Sequence, residues 1–399
     1  MIRAGRTIAA LLLLLALLPG CWNRRELNDL GILVGTAIDK VGDQYRLTAQ
    51  IVKPGEVTKR KSPGTSAPVT LYQSTAPTLF TAFRKLTEIS PRKVYGAHIR
   101  VLVLGESLAK EGVTDAIDLL IRDPEVRSDF YVMIARDTSA ESVLRVMTPL
   151  ENIPANKLFH SLDVSSKAWA PTTTVTLEQL MEKLIGEGIN PVLTGVRLVG
   201  DAEEGNSSKN TEKIDPSAKL RLTGLAVMRK DRLVGWLNEV QSKGYNYITD
   251  QVTSTAGYVK CSNGGLLTLE TIRTHTKMKG KMVNGKPVID IHMVDESNIA
   301  EVACEIDLDK PGTIRELEEK QRSKKIALMK QAVEVVKRKY GVDIFGFGQA
   351  VYRADPRAWS RLKKDWDSHF QDVQVRYEVD IHIRKIGMMG RKIQIGSKE

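Results

Sequence analysis

The feature that most constrains this chain is a change of character at residue 21. Arg3 and Arg6 precede an unbroken apolar run over residues 8–18. That run has the length of a secretory leader, about 7–15 residues, and is shorter than the ~20 residues that a membrane-spanning helix needs. We therefore predict that residues 1–20 are a signal peptide and that the remaining chain folds outside the cytoplasm.

Cys21 follows the leader directly, and we predict that it carries a lipid. The run Leu17-Leu18-Pro19-Gly20-Cys21 resembles a bacterial lipobox with Pro19 in place of the usual small residue, and a lipobox cysteine receives a diacylglycerol on its thiol. One acyl chain gives only marginal membrane residence at ~0.8 kcal/mol per buried methylene, whereas two hold a protein stably. The alternatives are a signal peptide that ends at an ordinary cysteine and an uncleaved anchor.

Beyond the leader, the composition is that of a folded protein of two or three domains. The 399 residues are 42% hydrophobic and 27% charged, and no second long apolar run occurs. The formal charge of +11 suits anionic lipid headgroups, since each nearby cation contributes about 1 kcal/mol. Nucleic acid is not predicted as a partner, because no basic block with interleaved aromatics or zinc-finger spacing occurs.

Two cysteines, Cys261 and Cys304, remain after Cys21. They could form one disulfide in an exported protein. The alternative is a pair of free, partly buried thiols. We favour the free thiols, because two cysteines without CxxC spacing are not the framework of a small disulfide-rich fold.

Strands and helices of about ten residues alternate in the first half of the mature chain, which indicates an α/β-layered domain. Strands are predicted at 31–39, 45–51, 99–104, 130–135 and 192–199, and helices at 79–89, 113–121, 139–147 and 177–185. Residues 150–174 have no clear pattern and are predicted to be irregular. Residues 201–217 lack apolar periodicity and are predicted to be a linker.

The second half is richer in strands. A hairpin is predicted around Asn284-Gly285, the strongest two-residue turn signal, and a final strand over 373–383 alternates apolar and charged residues. We predict an α+β, multidomain fold with mixed sheets, each flanked by helices. The proposed domains are an N-terminal one at 21–200, a strand-rich middle one at 218–300 and a C-terminal one at 301–399.

The C-terminal domain contains a long charged helix over residues 313–340, about 42 Å at ~1.5 Å per residue. Its first half has no apolar residue between Glu318 and Lys325, so we predict that this stretch is solvated. Its possible interaction surface comprises four cations, Lys320, Arg322, Lys324 and Lys325. Reversing these charges should then leave thermal stability nearly unchanged.

No catalytic, cofactor or metal site is predicted. The six histidines show no metal-ligand spacing, and no GxSxG or SxxK nucleophile motif occurs. Gly346-Phe347-Gly348 lacks the Lys-Ser/Thr of a phosphate-binding loop, and the oxygen ligands of a calcium loop do not continue from Asp307 and Asp309. The absence of these motifs favours a binding or assembly role over an enzyme.

Two stretches carry a family resemblance. The first is Cys21-Trp22-Asn23-Arg24-Arg25-Glu26 with the strand that ends at Ala37-Ile38-Asp39, and the second is Gly235-Trp236-Leu237 with Glu239, Ser242, Lys243 and Gly244. Both resemble the Ger(x)C family of spore germination receptor C-subunit lipoproteins. The order of segments is similar too, so the resemblance covers nearly all of the mature chain.

This resemblance implies a non-enzymatic lipoprotein on the outer face of the spore's inner membrane. Its partners would be membrane lipid, through acylated Cys21, and the integral membrane A and B subunits of a nutrient-germinant receptor. In that family, ligand recognition is attributed mainly to the membrane subunits. The alternatives are a lipid-anchored solute-binding or envelope-assembly protein of another system and an exported enzyme of unrecognised chemistry.

Overall fold

A computed structural model describes residues 29–54 and 67–385, together with Gly5. Cys21 and the predicted signal peptide, apart from Gly5, lie outside the described residues. The strands are β1 (Leu30–Val41), β2 (Gln44–Val52), β3 (Val69–Ala76), β4 (Lys93–Tyr95), β5 (Val101–Gly105), β6 (Tyr131–Ala135), β7 (Val192–Gly200), β8 (Ala218–Arg229), β9 (Arg232–Trp236), β10 (Thr255–Lys260), β11 (Leu266–Val283), β12 (Lys286–Val302) and β13 (Gln374–Lys385).

Helices connect most of these strands. The α-helices are α1 (Leu79–Lys85), α2 (Glu106–Glu111), α3 (Thr114–Arg122), α4 (Ala140–Arg145), α5 (Pro154–Ala168), α6 (Leu177–Ile185), α7 (Ala202–Gly205), α8 (Lys209–Glu212), α9 (Glu239–Ile248), α10 (Pro311–Val335), α11 (Phe347–Ala354), α12 (Pro356–Leu362) and α13 (Trp366–Asp372). A π-helical turn, Val336–Tyr340, extends α10. Within the described ranges, no helix has both the length and the apolar character needed to cross a bilayer.

The first sheet has nine strands in the order β3-β2-β1-β5-β6-β7-β8-β9, with β4 also paired to β1. Its centre, β1-β5-β6-β7, is parallel, and antiparallel strands extend it on both sides. All five residues of β5 are buried, as expected for a parallel strand with helices on both faces. The predicted α/β layering is confirmed here.

Two apolar cores lie on opposite faces of this sheet. Helices α1, α2, α3 and α6 pack on the face that presents Ile38, Leu102 and Leu104. Helices α4 and α5 pack on the other face, which presents Ala37 and Val103. The alternation follows from the strand geometry, in which successive side chains point to opposite faces.

The second sheet has four strands in the order β10-β11-β12-β13. A hairpin joins β11 to β12 through Asn284 and Gly285, whose φ angles are 50° and 74°. Positive φ at both positions is what a type I′ turn requires, so the predicted turn is confirmed. The predicted final strand is also confirmed as β13, which pairs parallel to β12.

A third core joins the two sheets. It brings Val192 of β7 and Leu225 of β8 together with Val333 of α10 and Ile291 of β12. The first sheet also continues past the predicted linker, because β7 and β8 pair with one another on either side of it. The division into three domains stays a prediction, and its boundary at 201–217 falls between two strands that pair in one sheet.

Two segments differ from the sequence prediction. Residues 154–168 are the helix α5 rather than irregular chain, with Pro154 at its first turn, where proline is well tolerated, and with Leu158 and Leu162 buried four residues apart. Residues 201–217 contain α7 and α8. There the buried Asn210 donates its side-chain amide to the carbonyls of Met147 and Ala218.

Candidate functional site

The long charged helix α10 was the predicted interaction element, and its buried face extends into the first half, which was predicted to be solvated. Leu317, Gln321, Lys325 and Met329 lie four residues apart and are 1%, 1%, 3% and 0% exposed. Residues at this spacing share one face of a helix. The face that contacts the second sheet is therefore continuous from the first half of α10 into the second, and it includes two polar side chains.

Lys325 is the centre of a buried polar cluster. Its Nζ lies 2.9 Å from Oδ2 of Asp295 and 2.8 Å from Oγ1 of Thr271, donates to the hydroxyl of Tyr247, and lies 4.2 Å from the centroid of the Tyr247 ring. Burial acts to lower the pKa of Lys325, but its contacts with Tyr247 and Asp295 outweigh this effect and raise it.

The prediction that Lys325 belongs to an exposed surface is wrong, because its ammonium group is paired inside the protein. Asp295 is fully buried and also accepts hydrogen bonds from Thr271 and Ser297. The expectation that charge reversal leaves stability unchanged fails at this position for the same reason: a reversed charge would face Asp295 without solvent.

The other three predicted residues are partly exposed and bond to neighbouring elements. Arg322 donates from Nε to the carbonyl of Val379 on β13 over 2.7 Å. Lys324 donates to the carbonyl of Tyr258 on β10, with its Nζ 3.7 Å from the centroid of the Tyr258 ring. Thus α10 reaches both edge strands of the second sheet.

Lys320 bonds to two side chains that are themselves partly exposed or exposed. Its Nζ lies 2.6 Å from Glu316 and 2.9 Å from the hydroxyl of Ser262, and its side chain is 33% exposed. It lines a shallow groove of about 460 Å³ between α10 and β10 with Tyr258, Lys260, Glu319 and others. Exposed pairs of this kind contribute ~0–1 kcal/mol, so Lys320 is available to a partner at little cost to the fold.

The second stretch that carried the family resemblance lies where the two halves of the molecule meet. A Cβ on Gly244 of α9 would lie 2.3 Å from the carbonyl oxygen of Leu328 in α10, and one on Gly235 would lie 2.3 Å from the Tyr340 ring. The Tyr340 hydroxyl donates to the carbonyl of Trp236 over 2.7 Å. These positions therefore allow close backbone contact between the first sheet, α9 and α10.

Cys261 and Cys304 form a disulfide with a Cα–Cα distance of 6.4 Å. The favoured prediction of two free thiols is therefore wrong. Cys261 follows β10 and Cys304 follows β12, and both pack in a small core with Leu267 and Leu317. The predicted leader, which would imply export, is the sequence signal that could have favoured the bond.

The turn around Gly346-Phe347-Gly348 has an internal partner. The backbone amides of Phe345, Gly346 and Gly348 donate to the buried carboxylate of Asp343 over 3.0, 2.9 and 2.8 Å, and Trp366 donates its indole N–H to the same group over 2.9 Å. Burial raises the pKa of Asp343 to about 6, against the lowering effect of these donors. The backbone amides of this turn therefore bind the carboxylate of Asp343, which belongs to the same chain.

Two of the histidines considered for chemistry pair with an aspartate, and Asp307 lies in a turn. His275 lies 3.0 Å from Asp250, and His292 lies 3.0 Å from Asp380. Asp307 accepts from the backbone amide of Asp309 in a turn. In the part of the chain that the structure describes, no three His, Cys, Asp or Glu side chains gather as a metal site would require.

Comparison with known proteins gives matches along nearly the whole chain. Residues 23–198 match the family model "Spore germination protein N-terminal domain", and residues 223–387 match "Spore germination B3/GerAC like, C-terminal". Spore germination protein KC of Bacillus subtilis (strain 168) is 30% identical over 99% of this chain and 98% of its own length. Spore germination protein B3 of the same organism is 24% identical over 98% of this chain and 100% of its own length.

A solved structure shares the fold. The crystal structure of the GerBC protein matches with a TM-score of 0.56 and 21% identity, over 88% of this chain and 96% of the GerBC chain. The predicted fold class, with two mixed sheets flanked by helices and a long charged helix near the C-terminus, is confirmed.

Proposed function

The chain belongs to the GerAC-like family of spore germination proteins, and from this membership we propose that it is a lipid-anchored, non-enzymatic subunit of a spore nutrient-germinant receptor. In this proposal it acts as a scaffold that assembles with the membrane-embedded A and B subunits on the outer face of the inner membrane. The observation that carries the proposal is end-to-end similarity to proteins named for spore germination, at 30% identity to one of them.

The position of the first strand supports a membrane tether at Cys21. Leu30, the first residue of β1, comes nine positions after Cys21. A chain of nine residues spans at most about 30 Å when fully extended. An acylated Cys21 would therefore hold one end of the first sheet close to the bilayer. This is the end at which β1 starts and β4 pairs with it.

The disulfide supports an extracytoplasmic location. Disulfides form and persist in oxidising compartments and are rare in the bacterial cytoplasm. The Cys261–Cys304 bond is therefore in keeping with export of the body across the inner membrane.

Replacement of Cys21 tests the proposal. Cys21→Ala removes the thiol that would carry two acyl chains, so the protein should leave the membrane fraction and the nutrient response of the spores should be lost. The measurements are fractionation of spore membranes and germination rate. The double variant Cys261→Ala/Cys304→Ala, which leaves Cys21 in place, should stay in the membrane fraction. A soluble Cys21→Ala protein in spores that germinate normally would contradict the proposal.

The proposed partner surface is now Lys320, with Arg322 and Lys324 at its border, and Lys325 is excluded. Lys320→Glu should lower the amount of A and B subunits that co-purify from spore membranes and leave the melting temperature nearly unchanged, because exposed ion pairs contribute little. Lys330→Glu, at an exposed position on the same helix, is the matched control. If the A and B subunits co-purify in equal amounts with Lys320→Glu and with the control Lys330→Glu, α10 is not part of the interface.

A further inference from the structure

A cavity of about 880 Å³ lies on the first sheet, between the strands β1 and β2 and the helices α1 and α3. Small-molecule sites in proteins are typically 300–1,000 Å³ and mainly apolar, with a few polar groups that orient the ligand. We call it the β1–β2 cavity. Its buried apolar floor comprises Leu33, Ile38, Leu47, Ala49 and Leu79.

One polar side chain in this floor has no partner. Thr36 lines the cavity and is 3% exposed, and its hydroxyl makes no hydrogen bond. It lies on β1 directly opposite Ala49 of β2 and Leu102 of β5, whose side chains offer no donor or acceptor. A buried hydroxyl without a partner loses its hydrogen bonds to water without compensation, and a bound molecule would supply the missing group.

Charged side chains of both signs surround the cavity, and several of them have local partners. At one end, Tyr45 donates to Asp115 over 2.8 Å, and Lys40 lies 4.1 Å from the centroid of the Tyr45 ring. At the other end, Lys93 pairs with Glu125 over 2.6 Å. Four cationic and five anionic side chains line the cavity, so its rim carries little net charge and favours an uncharged ligand.

The edge of the cavity also carries an exposed aromatic residue. Phe80 of α1 lines the opening and is 55% exposed, with the guanidinium of Arg84 lying 5.1 Å from the centroid of its ring. An aromatic ring at the entrance and an apolar floor behind it favour a ligand with an apolar body.

We propose that the β1–β2 cavity binds a small amphipathic molecule without net charge, whose apolar body lies on the floor and whose single hydrogen-bonding group meets the Thr36 hydroxyl. This site lies in the first sheet and includes no residue of α10, and one of its ends, at Lys93 of β4, adjoins the end of the sheet that the tether would hold near the membrane. It is independent of the receptor proposal, since the cavity could bind such a molecule whatever complex the chain joins.

Prodan, an uncharged naphthalene dye with one ketone, is the probe for this site. Its fluorescence shifts to the blue in an apolar environment, so titration gives a dissociation constant directly. The protein is residues 21–399 with Cys21→Ala, which keeps every described strand and helix and attaches no acyl chain that would compete for the cavity. We expect saturable binding at one site.

Three variants locate the bound dye. Thr36→Val keeps the side-chain shape and removes the hydroxyl, so binding should weaken about fivefold, the equivalent of one hydrogen bond of ~1 kcal/mol. Ala49→Leu fills the floor and should abolish binding. Thr223→Val is the matched control, because the Thr223 hydroxyl also lacks a partner and does not line the cavity.

Circular dichroism establishes that each variant is folded before it is titrated. If Ala49→Leu does not fold, the comparison of Thr36→Val with Thr223→Val decides the question alone. The proposal is overturned if the parent chain does not bind the dye saturably, or if Thr36→Val and Thr223→Val bind it as well as the parent chain does.

Discussion

At the scale of single residues, the Nζ atom of Lys325 joins α10 to three other elements. It contacts α9 through Tyr247, β11 through Thr271 and β12 through Asp295. Moving an ammonium and a carboxylate out of water costs several kcal/mol per ion, and only their mutual attraction and further hydrogen bonds offset that cost. Removing only one of the two charges should therefore destabilise the protein more than removing both.

A double-mutant cycle tests this coupling. Lys325→Met and Asp295→Asn should each lower the free energy of unfolding by ~3–5 kcal/mol, because each leaves one buried charge without its partner. The double variant should lose clearly less than the sum of the two, since the residues are in direct contact. Urea unfolding followed by circular dichroism gives these values. Lys330→Met, at an exposed position of the same helix, is the control and should change stability by less than ~0.5 kcal/mol. Additive losses would show that the two charges do not stabilise one another.

At the scale of elements, α10 is held by its crossing with α9 and by its contacts with both edges of the second sheet. The crossing is close because Gly244 brings the α9 backbone against Leu328 and Ala332 of α10. A glycine inside a helix normally costs ~0.5–1 kcal/mol relative to alanine. At Gly244 that cost is offset, because a residue with a Cβ could not pack this close to α10.

Gly244→Ala should therefore destabilise the protein although alanine favours helix. The added Cβ would lie 2.3 Å from the Leu328 carbonyl oxygen and 2.8 Å from the Ala332 Cβ, so the helices must move apart. We expect a loss of ~1–3 kcal/mol, as for other overpacked interiors, measured as a lower urea midpoint. Gly257→Ala is the control, because no atom lies within 4 Å of a Cβ at that position in β10. If both variants unfold at the same midpoint, the crossing is looser than the structure indicates.

The elements that could be predicted from the sequence are those whose signals are local. The turn at Asn284-Gly285 and the alternation of β13 depend on neighbouring residues, and both are confirmed. The buried face in the first half of α10 could not be found in this way, because Gln321 and Lys325 are polar and the partners of Lys325 come from distant strands and helices. The hydroxyl of Thr36 gave no signal for the same reason, since a threonine in a strand is ordinary until its surroundings are known.

At the scale of the whole molecule, the two sheets share an apolar core. The core between them takes side chains from β7, β8, α9, α10, β12 and β13. The strands β7 and β8 lie on either side of residues 201–217 and pair with each other. The parts of the chain before and after this segment are therefore held together by strand pairing as well as by the covalent chain. We infer that the molecule unfolds as one cooperative unit.

Cleavage within residues 201–217 tests this inference. A protease site inserted at the exposed Asn206 should be cut without separating the products, because strand pairing and the shared core remain intact. Size-exclusion chromatography should show both fragments in one peak under native conditions and two peaks in urea. Fragments that separate in buffer and keep their secondary structure would instead support the predicted boundary.

The reach of α10 to both edge strands of the second sheet has a consequence for recognition. Many proteins bind an extended peptide by adding it as a further strand to an open sheet, where unpaired backbone groups provide the affinity. Here the carbonyls of Tyr258 on β10 and Val379 on β13 and the amide of Ile383 already bond to side chains of α10. A peptide strand added at these positions would first have to displace α10. A partner that binds the second sheet there would therefore have to contact its side chains.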